Sequence, residues 1–212
     1  MAFSFPETDI YCLTDSRQSL GRSTLEVVRN MLLAGIKIIQ YREKDKDGAA
    51  MLEECRAIRD MTRAAGCCFI VNDHVDIALL CEADGVHVGQ DDLPLASVRK
   101  LVGKDRVVGV STHRWAEAEA AVAGGADYIG VGPILATATK KTTPPVGFSY
   151  LREAASKCRI PFVTIGGINE STVAEAVRNG AKCCGIVSDI ILAEDMPGKI
   201  ARLRAIMREA AQ

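Results

Sequence analysis

No apolar run in this 212-residue chain approaches the roughly 18 residues needed to cross a bilayer. Residues 1–7 carry neither a basic flank nor a long apolar stretch, so a cytoplasmic protein is expected. Neither charge is in excess: 26 Lys and Arg against 27 Asp and Glu leave a net charge of −1, with no long-range pull toward nucleic acid or anionic lipid. Glycine (18) and proline (7) are too scarce for a collagenous or low-complexity chain, and 48% hydrophobic residues exclude disorder as the dominant state. No Cys-x-x-Cys pair offers zinc or redox spacing. The eight cysteines lie scattered in apolar stretches of a chain long enough to build its own core, so they are expected to be buried thiols. Neighbours such as Cys67 and Cys68 should face opposite sides of a strand. The composition shows no linker, and one domain over residues 1–212 is expected.

What is present is a repeating alternation. Short β-branched runs at Ile10–Thr14, Ile36–Gln40, Cys67–Val71, Gly85–Val88, Val107–Val110, Tyr128–Val131, Phe162–Ile165 and Cys183–Val187 are each followed by a stretch of helical period. The first helix shows a stripe of Leu25, Val28 and Leu32, and the last one of Ile200, Leu203, Met207 and Ala210. Gly35, Gly66, Gly125 and Gly180 stand just before strands, where a helix C-cap in the left-handed region favours glycine. Eight βα units in this length predict a (β/α)8 TIM barrel. An open eight-stranded sheet satisfies the count too, but the first strand-to-helix turn lacks Gly-x-Gly-x-x-Gly, and polar clusters follow nearly every strand. A closed barrel gathers all those clusters on one rim.

Gln40, Arg42 and Lys44 alternate along the end of the second strand and share a face, with Tyr41 and Glu43 turned away. If that face is the barrel mouth, two converging cations call for an anion. The alternative is a solvated strand end paired with Asp45 and Asp47. Asn72-Asp73 and Asp91-Asp92 end the third and fourth strands; each could cap the next helix. Together, Asp73 and one of Asp91 or Asp92 make an oxygen-rich place for Mg2+, which takes one or two carboxylates and completes its shell with water and phosphate. Ser111, at the end of the fifth strand, is favoured for substrate contact, and His113 is left open. The connection from Gly132 to Gly147 is long, with hydroxyls and lysines suited to phosphate oxygens; it reads as a lid or as a plain surface loop. Gly166-Gly167 and the segment after the eighth strand offer backbone N–H groups to a second phosphate. Two anion sites on one rim are therefore expected.

Taken in order, Gln40-Tyr41-Arg42-Glu43-Lys44, Asn72-Asp73, Gly85-Val86-His87-Val88-Gly89-Gln90-Asp91-Asp92, Ser111-Thr112-His113, Gly132-Pro133-Ile134 with Thr137-Ala138-Thr139-Lys140, and Ile165-Gly166-Gly167-Ile168 resemble the thiamin phosphate synthase family. The resemblance runs from about Ile10 to the final helix. It implies a transferase that joins hydroxymethylpyrimidine diphosphate to thiazole phosphate and releases pyrophosphate, through a dissociative pathway. It places Arg42, Lys44, Asn72, Ser111 and Lys140 at the diphosphate and pyrimidine, Gln40 on the pyrimidine, and Asp73 and Asp92 as Mg2+ ligands. Of these, Ser111, Lys140, Arg42 and Lys44 are the expected catalytic residues. Thr137, Thr139, Gly167, Val187 and Ser188 match the thiazole phosphate pocket, and a homodimer is a family-level expectation.

The chain departs from the family in two places. Leu135-Ala136 replaces the usual aromatic residue and Pro before Thr137, and Pro144-Pro145 is unusual in the lid. Three other readings compete. A thiazole tautomerase would use His113 as acid or base and would need no diphosphate site, and the Gln/Arg/Lys and Asn-Asp motifs argue against it. A phosphosugar epimerase would need facing acid–base carboxylates. A non-catalytic thiamin-pathway binder would keep the pocket, and intact Asp73, Asp92 and Lys140 speak against it.

Overall fold

Short runs of Val and Ile, apolar on both faces, pair in parallel with the next run along the chain. In the computed structural model, which describes residues 4–137 and 143–212, these are β1 (Ile10–Leu13), β2 (Ile38–Tyr41), β3 (Cys68–Asn72), β4 (Gly85–Val88), β5 (Val107–Thr112), β6 (Tyr128–Val131), β7 (Phe162–Ile165) and β8 (Cys184–Ile186). They close in sequence order, β8 returning to β1 through Ile10↔Cys184, Tyr11↔Gly185 and Cys12↔Ile186. The intervening helices are α1 (Thr24–Leu33), α2 (Gly48–Ala64), α3 (Val75–Leu80), α4 (Leu95–Val102), α5 (Trp115–Ala123), α6 (Gly147–Lys157), α7 (Val173–Arg178), α8 (Ser188–Ile191) and α9 (Met196–Ala210). The chain is a single-domain (β/α)8 barrel. No helix among the described residues is long and apolar enough to cross a membrane.

Three strands start later than the apolar pattern suggests, β8 at Cys184 in place of Cys183 and the other two for one reason. The amides of Ile36 and Cys67 donate to the carbonyls of Met31 and Thr62, completing Schellman turns through Gly35 (φ 70°) and Gly66 (φ 62°) before pairing begins. Gly125 and Gly180 end α5 and α7 in the same way. A fifth such turn ends α3 with Glu82 at φ 56°, a position no glycine signals. The α1 stripe is also rotated from the expected one. Val27, Val28 and Met31 are buried, whereas Leu25 and Leu32 lie on the flank, half-covered. In α9, Ile200, Leu203 and Met207 are buried as their spacing requires.

All eight cysteines are free thiols, six of them buried, and burial pushes Cys184 up to about 12. Such groups are poor nucleophiles. Opposite faces of one strand do not apply to Cys67 and Cys68, because β3 begins at Cys68 and the Cys67 amide closes the turn after α2.

The end of the barrel opposite the polar rim is braced by acids just ahead of the strands. Asp84 Oδ2 accepts from the Phe69 amide (2.8 Å) and from Arg59 Nη1 of α2 (2.8 Å). Asp127 repeats this with the Val108 amide (2.7 Å) and Arg99 of α4 (2.6 Å), and Arg204 of α9 reaches Asp9 at 2.9 Å. Each clamp ties an outer helix to the strand ends.

Candidate active site

The strand C-termini surround one cavity of about 440 Å3. Gln40, Arg42 and Lys44 line it together, and Tyr41 and Glu43 do not, as the period of two demands. Tyr41 instead donates to Glu54 (2.7 Å). Glu43 turns back to accept from the amides of Lys44 (2.7 Å) and Asp45 (3.0 Å). Burial opposes its ionisation, yet those amides and the Ser16 hydroxyl hold Glu43 below the usual carboxylate range. This fixed carboxylate shapes the turn that delivers Lys44.

The cations do meet carboxylates, but not the expected ones. Arg42 Nη1 contacts Asp15 Oδ2 at 2.9 Å, and Thr14 Oγ1 grips the Arg42 backbone by accepting from its amide (2.9 Å) and donating to its carbonyl (3.2 Å). Lys44 Nζ reaches Asp73 Oδ2 at 2.6 Å. Asp45 pairs with Arg17, and Asp47 caps α2 by accepting from the Ala50 amide. Pairing with Asp45 and Asp47 is therefore overturned: the loop carries both acids outward, and acids from neighbouring strand ends take their place.

Asn72 and Asp73 do not cap α3, whose N-cap is His74, and Asp91 and Asp92 do not cap α4, whose N-cap is Pro94. Asp73 instead holds a left-handed backbone (φ 61°), which Asp tolerates better than most residues. Its carboxylate lies within hydrogen-bonding reach of Asp92, and Asp92 Oδ2 also accepts from the Gly89 amide (2.7 Å). Partial burial and the facing Asp73 push Asp92 above the usual carboxylate range, against the pull of Gly89 and Lys44. Two carboxylates facing each other at the cavity mouth, Asp73 and Asp92, are a fitting donor set for a divalent cation. Among the described residues no group of three or more His, Cys, Asp or Glu could hold a metal by itself. The remaining places in such a shell would fall to water and phosphate, the preference of Mg2+.

Across the cavity lie Thr137, Gly166, Gly167, Val187 and Ser188. Gly166 (φ 98°) and Gly167 (φ 70°) need glycine twice over: a Cβ would stand 2.4 Å from Pro133 and 2.6 Å from the Leu135 Cβ. The departure at Leu135-Ala136 is accommodated here, since the Leu135 amide donates to the Gly166 carbonyl (3.0 Å). The base of the long connection is pinned by Val146 N to Pro133 O (2.8 Å) and Gly147 N to Ile134 O (3.0 Å). Thr139 and Lys140, expected in this connection, lie outside the described residues.

The sequence does not announce the cavity floor. Tyr11, His87 and Tyr128 line it beneath Ser111, and Phe5 covers Tyr128 from below with ring centroids 4.6 Å apart. Strand register held the only clue, because His87, Gly109 and Tyr128 are lateral neighbours on β4, β5 and β6. Gly109 makes their contact possible: a Cβ there would lie 2.1 Å from the Tyr128 ring and 2.5 Å from His87 Nδ1. Both rings are enclosed, so Gly109→Ala is expected to destabilise the barrel by about 2–3 kcal/mol in urea unfolding. A change below about 0.5 kcal/mol would mean that the floor is loosely packed. His113 lines the cavity too; its Nδ1 is held by the Gly132 carbonyl and its amide donates to Glu117 (2.8 Å).

Residues 10–190 match the family model for thiamine monophosphate synthase. A thiamine-phosphate synthase of Lawsonia intracellularis is 51% identical, with 96% of each chain covered. The chain belongs to the thiamine monophosphate synthase family. Another member, from Pelotomaculum thermopropionicum, is 55% identical over 95% of this chain and 93% of that one. A solved structure described as thiamine phosphate pyrophosphorylase, from Pyrococcus furiosus, superposes with a TM-score of 0.88 at 32% identity, covering 96% and 97% of the two chains.

Proposed function

We propose that the chain is a thiamin phosphate synthase: it joins hydroxymethylpyrimidine diphosphate to thiazole phosphate, giving thiamin phosphate and pyrophosphate. The observation that carries this reading is that one cavity is lined both by Arg42, Lys44, Asp73 and Asp92 and by Gly166, Gly167, Val187 and Ser188, groups suited to two phosphorylated ligands. A phosphosugar epimerase would have no use for the first cluster, and a tautomerase acting through His113 would need neither Lys44 nor the acid pair.

In this reading Arg42 and Lys44 bind the diphosphate, Asn72 and Ser111 donate to it, and Gln40 meets the pyrimidine. Lys140 joins from the long connection. Asp73 and Asp92 would hold Mg2+, which supplies positive charge to the leaving oxygens when bound. The C–O bond breaks with its electron pair leaving on pyrophosphate, where Arg42 and Lys44 stabilise the growing charge most. The pyrimidine methylene cation is then captured by the lone pair of the thiazole nitrogen, forming the C–N bond. Thr137, Thr139, Gly167, Val187 and Ser188 hold the thiazole phosphate so that this nitrogen faces the cation. The reaction requires no side-chain nucleophile. The same reading makes the chain a cytoplasmic enzyme of small phosphorylated metabolites.

Arg42→Ala separates the two sites. Losing charge-assisted bonds should weaken the diphosphate substrate by about 10- to 100-fold and leave thiazole phosphate within about twofold, measured as separate KM values. Equal losses for both substrates would contradict the assignment.

A further inference from the structure

Five side chains cross the cavity floor in one unbroken line. Gln40 Nε2 donates to the Tyr11 hydroxyl (2.9 Å), which meets the Tyr128 hydroxyl (2.8 Å). The Tyr128 hydroxyl meets His87 Nδ1 (2.9 Å), and His87 Nε2 meets Ser111 Oγ (2.9 Å). With Gln40 Nε2 placed on the Tyr11 hydroxyl, counting protons along this line fixes its direction. Tyr11 oxygen already accepts from Gln40, so its own proton needs an acceptor, and among the described residues the one in reach is Tyr128. If Tyr128 donated to Tyr11 instead, the Tyr11 proton would be left without an acceptor on a side chain only 2% exposed. A proton on His87 Nδ1 would strand either that proton or the one on Tyr128, which is fully buried. The arrangement that leaves neither phenol proton nor the imidazole proton stranded runs from Gln40 to Tyr11 to Tyr128 to His87 Nδ1, and from His87 Nε2–H to Ser111. Two protons are left over, the second Nε2–H of Gln40 and the Ser111 hydroxyl proton, and Ser111 is half-exposed at the cavity wall.

We propose that Tyr11, Tyr128 and His87 are positioning residues that form a one-way hydrogen-bond relay between Gln40 and Ser111. At one end the relay fixes the Gln40 amide through one Nε2–H, so the carboxamide offers Oε1, an acceptor for a ring-bound amine. At the other it fills a lone pair of Ser111 Oγ, so the hydroxyl serves as a donor to phosphate oxygen. The floor therefore selects a heteroaromatic ligand with an amine at one end and an anionic group at the other. The relay is built into the barrel: Gly109 has no room for a Cβ beside Tyr128 and His87. Burial keeps both phenols protonated, as the relay needs.

The specificity statement rests on the proposed function; the proton order does not. Nitrogen-15 NMR of the imidazoles in the intact protein, with His87 assigned through His87→Gln, reads the order directly. The expected result is a neutral His87 protonated on Nε2. Protonation on Nδ1, or a doubly protonated ring, overturns the relay whether or not the protein couples substrates. For the specificity arm, Tyr128→Phe keeps the ring and removes the central hydroxyl. It should lower kcat/KM for the pyrimidine diphosphate by about 10- to 100-fold and leave KM for thiazole phosphate within about twofold. Preference for the substrate over its analogue lacking the ring amine should also shrink by at least about tenfold. Tyr11→Phe breaks the adjoining link and should do the same, so a misfolded Tyr128→Phe leaves the arm standing. Unchanged amine preference in a folded variant would contradict the relay. Wild-type protein that couples nothing would sink the proposed function and leave the imidazole spectrum to decide the relay alone.

Discussion

Asp73→Ala is expected to lower the coupling rate by about a thousandfold while leaving the barrel folded. The carboxylate has two partners at the mouth: Lys44 Nζ at 2.6 Å and Asp92 within hydrogen-bonding reach. Removing it takes one of two cation ligands and frees Lys44 from its fixed place beside the diphosphate. A loss of several kcal/mol in transition-state charge stabilisation corresponds to about that factor. Stability should fall by no more than about 1 kcal/mol, because Asp73 is at the rim and Ala adopts its left-handed backbone only somewhat less readily than Asp. Steady-state coupling at saturating Mg2+, with thermal unfolding alongside, checks both halves. Near-full turnover would remove Asp73 from the machinery.

Asp84→Ala is expected to act in the opposite sense, costing stability far from the chemistry. The Asp84 carboxylate is 3% exposed and serves both Arg59 and the Phe69 amide. Its loss leaves a buried guanidinium without that counter-charge and a strand amide without its acceptor. Breaking a buried pair from one side costs about 3–5 kcal/mol, which for a chain of this size lowers Tm by about 10 °C. Calorimetry reads the shift directly. A Tm within about 2 °C of wild type would mean that water replaces the carboxylate and that the clamps contribute little.

Local chemistry explains which parts of this molecule could be read from sequence. The strands were legible because each is a short apolar run closed by polar residues, and the barrel because all eight follow the same plan. Their starts were less so: Ile36 and Cys67 look like strand residues, yet their amides finish the preceding helix. At the mouth, the period of two sufficed to put Gln40, Arg42 and Lys44 on one face. It could not supply their partners, since Asp15 and Asp73 follow β1 and β3, which meet β2 only through lateral strand pairing. Tyr11, His87 and Tyr128 were hidden for the same reason. Each is an ordinary buried residue within its own strand, and their common role exists only in the lateral register of the barrel.

The central claim is that both phosphorylated substrates meet at this one cavity and that the diphosphate leaves with metal assistance. Purified protein should be incubated with hydroxymethylpyrimidine diphosphate and thiazole phosphate, with Mg2+ or with excess chelator, and thiamin phosphate and pyrophosphate quantified together. The account predicts equal amounts of the two products with Mg2+ and a fall of at least about a hundredfold under chelator. Pyrophosphate released without thiamin phosphate, or coupling at full rate under chelator, would contradict it.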